Sequence, residues 1–227
     1  MVSNSAPGSV RREGKVTQPQ ALNSRTPVTH IYFIRHAAVE NPHHITYGAL
    51  PGFHIGLRGQ KRSARVGKML KTEGITRIYA SPLERTRETA EAIRAELGEN
   101  IPIQIDSDLT EDGSAIYWQG LPQALLPIRY PHYYLAWLTY PERIRFAESA
   151  IHVAARIDRA IERILARHPG ESVLVVCHGG PIKAWVTWRQ HLSWRRLHLN
   201  RVRNAEGYLI EAEKGEILSI KSFRPLS

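Results

Sequence analysis

Two histidines stand where apolar runs stop. Residues 31–37, IYFIRHA, end an apolar stretch on Arg35 and His36, and residues 173–180, VLVVCHGG, end another on His178 and two glycines. A further arginine, Arg85, sits in YASPLERTRETAEAI, residues 79–93. Such a set suits a phosphomonoester dianion, which needs cations for its oxygens, a nucleophile for phosphorus and an acid for the leaving oxygen. A neutral imidazole attacks phosphorus well when one ring nitrogen is free and the other donates to a carbonyl; His36 is the candidate. The planar forks of Arg35 and Arg85 match phosphate oxygens in pairs. His178 adds a donor for charge on the phosphoryl group, and Gly179 and Gly180 let backbone come close to a ligand. Each group alone has an ordinary explanation: an exposed Arg–His pair, a solvated helix arginine (as Arg87 is read), a core histidine. It is their joint occurrence that points to chemistry.

Composition agrees with an anionic ligand. The 227 residues carry a formal net charge of +10, which favours phosphorylated metabolites, nucleic acid or acidic surfaces without choosing among them. Hydrophobic residues make up 42 %, enough for a packed core and against a disordered or fibrous chain. With Cys177 as its only cysteine the chain cannot form an internal disulfide, and a cytoplasmic setting is expected. No apolar run reaches the roughly 18 residues of a membrane span, and no apolar segment follows Arg11, Arg12 and Lys15 as a secretory signal requires.

The elements that must position these groups alternate along the chain. Residues 1–27, rich in Ser, Pro, Gln and basic groups, read as a flexible tail, and 28–227 as the catalytic domain. HIYFI reads as a strand; residues 56–74 have helical spacing at Ala64, Val66, Met69 and Leu70, with Gly74 as a stop. A short strand, RIYAS, precedes a helix entered at Pro82 and running to Gly98. IPIQI is a strand, 142–168 one long helix, SVLVVC a buried strand, PIKAWVTWRQ a helix, and Lys214–Gly215 the turn of a closing hairpin. This is the pattern of a three-layer α/β/α sandwich with a mostly parallel central sheet, whose ligands sit beyond the carboxyl ends of the strands. Residues 113–141, crowded with Tyr and Trp, break the rhythm as a helical insertion. It either caps a pocket or packs as a subdomain of its own.

IYFIRHA, YASPLERTRETAEAI, LTE (109–111) and VLVVCHGG resemble, in order, the signatures of the histidine phosphatase superfamily, also called phosphoglycerate mutase-like. FAESA, residues 146–150, resembles the family's opening to its long helix. The resemblance implies a metal-independent phosphohydrolase without cofactor, acting on a small phosphorylated substrate through a phosphohistidine. It makes His36 the nucleophile, Arg35, Arg85 and His178 the phosphate ligands, and Glu111 the acid that protonates the leaving group. YWQG follows LTE at an unusual distance, and anchoring on Trp118 would point to Asp112 instead. The family's glycine after the histidine is Ala37 here, tolerable unless the backbone needs a positive φ. Its loop asparagine corresponds to Asn41, at short spacing before Pro42.

Two further stretches invite other readings. His43 and His44 are adjacent, so their side chains diverge, and no Cys or carboxylate cluster accompanies them; metal binding is not expected. RRLHLNRVR, 195–203, is more readily a solvated basic face or an attractor of acidic substrate than a nucleic-acid track, since no stacking aromatics interleave it. The rivals to a phosphatase are a mutase returning the phosphoryl group to a sugar acid, and a binding protein on a catalytically dead scaffold.

Overall fold

In the computed structural model, residue 1 and residues 27–225 are described; the segment read as a tail lies almost wholly outside them. Six strands form one sheet: β1 (Thr29–Arg35), β2 (Ile75–Ala80), β3 (Ile103–Ile105), β4 (Ser172–Cys177), β5 (Gly207–Glu213) and β6 (Glu216–Phe223). Their order is β3-β2-β4-β1-β5-β6. The first four are parallel, and β5 and β6 close one edge as an antiparallel hairpin. Its turn uses Lys214 and Gly215 at φ 52° and 83°, the left-handed pair such two-residue turns require.

The apolar runs are continuous because the central strands are covered on both faces. Alternate residues go to opposite layers. Ile31, Phe33, Val173 and Val175 pack on one side with Ile157, Ile161, Ile182 and Trp185, which belong to α6 (Ala150–Arg167) and α7 (Gly179–Arg189). Tyr32, Ile34, Leu174 and Val176 pack on the other side with Val66, Leu70, Ala90 and Ile93, from α1 (Leu57–Leu70) and α2 (Glu84–Leu97). Cys177 is fully buried on the α6 and α7 side and burial pushes its thiol up to about 12, so it behaves as a small apolar residue.

The insertion folds as three short helices, α3 (Gly113–Tyr117), α4 (Leu126–Arg129) and α5 (Pro131–Thr139). Trp118 is its hub, with ring centroids 5.5 Å from Trp137, 5.6 Å from Phe146 and 6.2 Å from Tyr134. The long helix expected over 142–168 begins only at Ala150. Glu148 is held back by two partners: its carboxylate pairs with Arg156 at 2.8 and 2.9 Å, and its backbone lies so close to Gly113 that a Cβ there would be 2.5 Å from the Glu148 nitrogen. Residues 142–149 therefore tie the insertion to α6 instead of extending it. The strand expected over 101–105 is likewise shorter, 103–105. Among the described residues no helix is long and apolar enough to cross a membrane.

Candidate active site

Strand register assembles the site. Arg35 of β1 lies opposite Cys177 of β4, so the next residues, His36 and His178, leave the sheet side by side. A bond from His36 N to the Cys177 carbonyl at 2.8 Å fixes the step. The two rings are 5.3 Å apart. Ser81, just past β2 on the other side of β4, reaches His178 Nε2 through its hydroxyl at 2.8 Å.

His36 Nδ1 lies 2.8 Å from the Ala37 carbonyl. A carbonyl can only accept, so Nδ1 carries the proton and Nε2 the lone pair. Nε2 is buried with no hydrogen-bond partner among the described residues. The Ala37 carbonyl is held in turn by Asn204 Nδ2 (3.2 Å), which also bonds the His36 carbonyl (3.1 Å), and Thr89 Oγ1 accepts from Ala37 N at 2.9 Å. Ala37 is fully buried and has no positive φ, so a methyl group is accommodated where the family has glycine. Burial, then the charges of Arg35 and Arg85, hold His36 well below its ordinary pKa and keep it neutral.

Of the other buried nitrogens that lack partners among the described residues, three belong to this cluster, Arg35 Nε, Arg85 Nε and His178 Nδ1 (Trp118 Nε1 and His168 Nδ1 are the rest). Buried polar atoms are ordinarily hydrogen-bonded. The two arginine donors, His178 Nδ1 as a third when the Ser81 hydroxyl donates to Nε2, and one free imidazole nitrogen suit a tetrahedral oxyanion. The arginines are otherwise anchored, Arg35 Nη1 donating to the Val202 carbonyl at 3.0 Å and Arg85 Nη2 to the Gly48 carbonyl at 2.7 Å. The Arg85 guanidinium also lies 4.8 Å from the Tyr47 ring centroid. Arg87, its neighbour, is exposed.

Glu111 and Asp112 have different surroundings. Glu111 Oε2 is 3.5 Å from both Arg85 Nη2 and His178 Nδ1. Arg156 holds the Glu111 carbonyl at 3.0 Å. Burial, reinforced by Asp112, raises the Glu111 pKa to about 7, although Arg85 opposes the shift. Asp112 instead caps α3, its Oδ1 accepting from Ala115 N at 3.0 Å and from the Ser114 hydroxyl. Of the two carboxyls it is Glu111 that faces Arg85 and His178.

A cavity of about 590 Å³ opens in front of this cluster. Arg35, Glu111 and Gly179 line its inner end, with Thr46, Tyr47 and Gly48 beside them. His36, Arg85 and His178 lie behind that wall, each no more than 1 % exposed. Trp118, Tyr134 and Trp137 form another side, so the aromatic insertion both packs on itself and covers the cavity. Arg201 and Arg203 also line it, which places the 195–203 basic stretch at the site. Asn41 is not brought there. Its amide is spent within its own loop, Nδ2 donating to the Ile45 carbonyl at 2.8 Å and Oδ1 accepting from Ile45 N at 3.2 Å.

His43 and His44 are both exposed. Among the described residues, those that do carry metal-ligand atoms within 4.8 Å of one another are His36, Glu111 and His178. Arg35 and Arg85 stand against that trio, which makes it a poor host for a divalent cation and a good one for an anion. Sequence reasoning missed Ser81, Thr89, Arg156 and Asn204, which hydrogen-bond to His178, Ala37 N, the Glu111 carbonyl and the His36 and Ala37 carbonyls. Ser81 and Thr89 lie inside a quoted motif; nothing local marks the other two.

A family model described as the histidine phosphatase superfamily (branch 1) matches residues 31–222. An uncharacterised protein of Mycobacterium tuberculosis is 32 % identical over 170 residues, covering 74 % of this chain and 81 % of its own. Phosphoserine phosphatase 1 of Hydrogenobacter thermophilus is 29 % identical over 194 residues, covering 77 % and 88 %. Among solved structures, Bacillus stearothermophilus YhfR superposes with a TM-score of 0.78 at 25 % identity, over 88 % of this chain and 98 % of its own. With its sheet order, its paired histidines and this match over most of its length, the chain belongs to the histidine phosphatase superfamily.

Proposed function

We propose that this protein is a metal-independent phosphomonoesterase that works through a phosphohistidine at His36. The observation carrying the proposal is the state of that ring: Nδ1 bonded to the Ala37 carbonyl, Nε2 free and buried, and unsatisfied donors of Arg35, Arg85 and His178 around it. Arg35, Arg85 and His178 hold the phosphate oxygens. Nε2 attacks phosphorus and the ester P–O bond breaks in line. The departing oxygen takes the proton from Glu111, which its raised pKa keeps available near neutrality. Water then attacks the phosphohistidine, the N–P bond breaks, Glu111 takes the water's proton, and His36 returns to its neutral state. Hydrolysis, rather than transfer to a bound sugar acid as in a mutase, is supported by the likeness to a relative named phosphoserine phosphatase.

The test is to trap the intermediate. Brief incubation with ³²P-labelled phosphomonoester followed by quenching in alkali gives a base-stable, acid-labile phosphoprotein in the wild type and none in His36→Ala, with steady phosphate release only in the former. A folded His36→Ala variant of full activity overturns the mechanism. Transfer between 2- and 3-phosphoglycerate that outpaces phosphate release assigns a mutase instead.

A further inference from the structure

The groups assigned to the phosphate leave three cations of the cavity unused, Arg201 and Arg203 at its exposed side and Lys183 deeper in. Lys183 lines it from α7, half-buried, and its ammonium has no hydrogen bond or ion pair with any described residue. It lies one turn beyond Gly179 and Gly180, which share that wall. Helical side chains lean back toward the helix N-terminus. In that preceding turn the place of a Gly180 side chain is taken by the Asp112 carboxylate and that of a Gly179 side chain borders Arg35. A Cβ on Gly179 would lie 3.2 Å from Arg35 Nε, so the glycine turn adjoins the phosphate end of the cavity. Lys183 therefore overlooks the space just beyond the phosphate, about 6 Å along the helix from the residue against Arg35.

The charges of this wall do not balance on a plain ester. Arg35 and Arg85 suffice for a phosphate dianion. Glu111 enters the reaction carrying its proton, and Asp112, the remaining lining carboxylate, caps α3 through Oδ1 while its Oδ2 lies against Gly180, so it offsets a single positive charge. Lys183 is left, with Arg201 and Arg203 exposed at the rim and without ion pairs to described residues. Burying an ammonium is unfavourable unless an anion meets it, and burial already lowers the Lys183 pKa against the opposing pull of Asp112.

From this placement we infer that the substrate carries a second anionic group a few bonds from its phosphate, and that Lys183 is the residue that binds it. The inference rests on the phosphomonoesterase reading of the same site. A carboxylate and a second phosphate share the required chemistry. Lys183 is then a specificity residue, and Arg201 and Arg203 steer the same anion inward.

Non-hydrolysable ligands test this without turnover. Propylphosphonate, 4-phosphonobutyrate and propane-1,3-bisphosphonate share the phosphonate and its chain of methylenes, and differ in the distal group. Titration calorimetry on the wild type is expected to show at least about tenfold tighter binding of one distal anion over propylphosphonate, the value of one well-placed charge-assisted contact. Which of the two gains more separates carboxylate from phosphate. Lys183→Met is expected to abolish that ratio and Lys183→Arg to retain most of it. Wild-type binding of all three ligands with equal affinity overturns the inference, whatever becomes of the variants. So does a folded Lys183→Met that weakens all three by one factor, which makes Lys183 a phosphate ligand. Failure of the hydrolase reading would show separately, as selective binding without phosphate release from any phosphomonoester.

Discussion

Replacing Glu111 by Gln removes a proton without removing a shape. Near neutrality Glu111 is a half-protonated acid, because burial raises its pKa to about 7. Glutamine imitates its protonated form and keeps its place beside Arg85 and His178. What is lost is the proton for the leaving oxygen, typically worth about 10²–10⁴ in rate. That loss falls on leaving groups that need the proton. An alkyl phosphomonoester departs as a strongly basic alkoxide, whereas nitrophenolate is stable unprotonated. Glu111→Gln should therefore lower kcat for an alkyl ester by about 10²-fold or more and for p-nitrophenyl phosphate by less than about 10-fold. The pH profile gives an independent reading. With a pKa near 7, the acid is about nine-tenths protonated at pH 6 and about one-tenth at pH 8. Alkyl-ester turnover in the wild type should then fall about tenfold per unit above pH 7, where the substrate phosphate is already largely dianionic. This limb should vanish in Glu111→Gln, and Asp112→Asn should preserve both it and the leaving-group pattern. Equal losses on both esters, or survival of the limb in Glu111→Gln, would refute the acid role and leave Glu111 a positioning residue.

The same titration appears in stability. The folded state keeps the Glu111 proton to about pH 7, whereas the unfolded chain releases it near 4.5. Across that window the unfolded state binds fewer protons, so stability falls as pH rises, by about 3 kcal/mol in all. Urea unfolding at pH 4.5 and 7.5 should show Glu111→Gln gaining on the wild type by about that amount, and parallel changes in the two proteins would contradict the buried, raised carboxyl. For metal dependence, activity should survive exhaustive chelation, because Arg35 and Arg85 already supply the positive charge around His36, Glu111 and His178. Loss on chelation with recovery on adding Zn²⁺ would instead make that trio a metal site.

What the sequence made legible is what the strands carry. β1 and β4 carry continuous apolar runs, 31–34 and 173–177, because both faces are covered, so the polar residues that follow stand out, and parallel register turns two separate strand ends into one pair of histidines. Arg85 and Glu111 were legible through motif order, and the structure brings them within 3.5 Å of each other. The groups that aim these residues were not legible, since each acts across a long separation in the chain. Asn204 grips residues 36 and 37 from 168 and 167 positions away, and Arg156 fastens Glu111 from 45. Local patterning holds no trace of such contacts. The late start of α6 has the same origin: residues 142–149 read as helix by themselves, but Glu148 is claimed by Gly113 and Arg156. Tertiary contact overrides helical preference there. The expectation for Asn41 failed to reach the cavity for a local reason, because a short polar side chain just ahead of Pro42 is well placed to close its own turn on Ile45.

The insertion packs on itself and lines the cavity with the same aromatic residues. Trp118 is 2 % exposed at the hub of the aromatic cluster and still lines the cavity with Tyr134 and Trp137. The first loop is stapled to it: Thr46 N bonds the Leu121 carbonyl at 2.8 Å, Gly120 N bonds Thr46 at 2.8 Å, and Gln123 N bonds His44 at 3.1 Å. That loop carries the Gly48 carbonyl that anchors Arg85. The residues that shape the substrate end of the cavity and the carbonyl that orients a phosphate arginine thus belong to one hydrogen-bonded unit. A change in the aromatic cluster that shifts this loop should reach Arg85 as well, so substitutions there act on catalysis as well as on substrate choice.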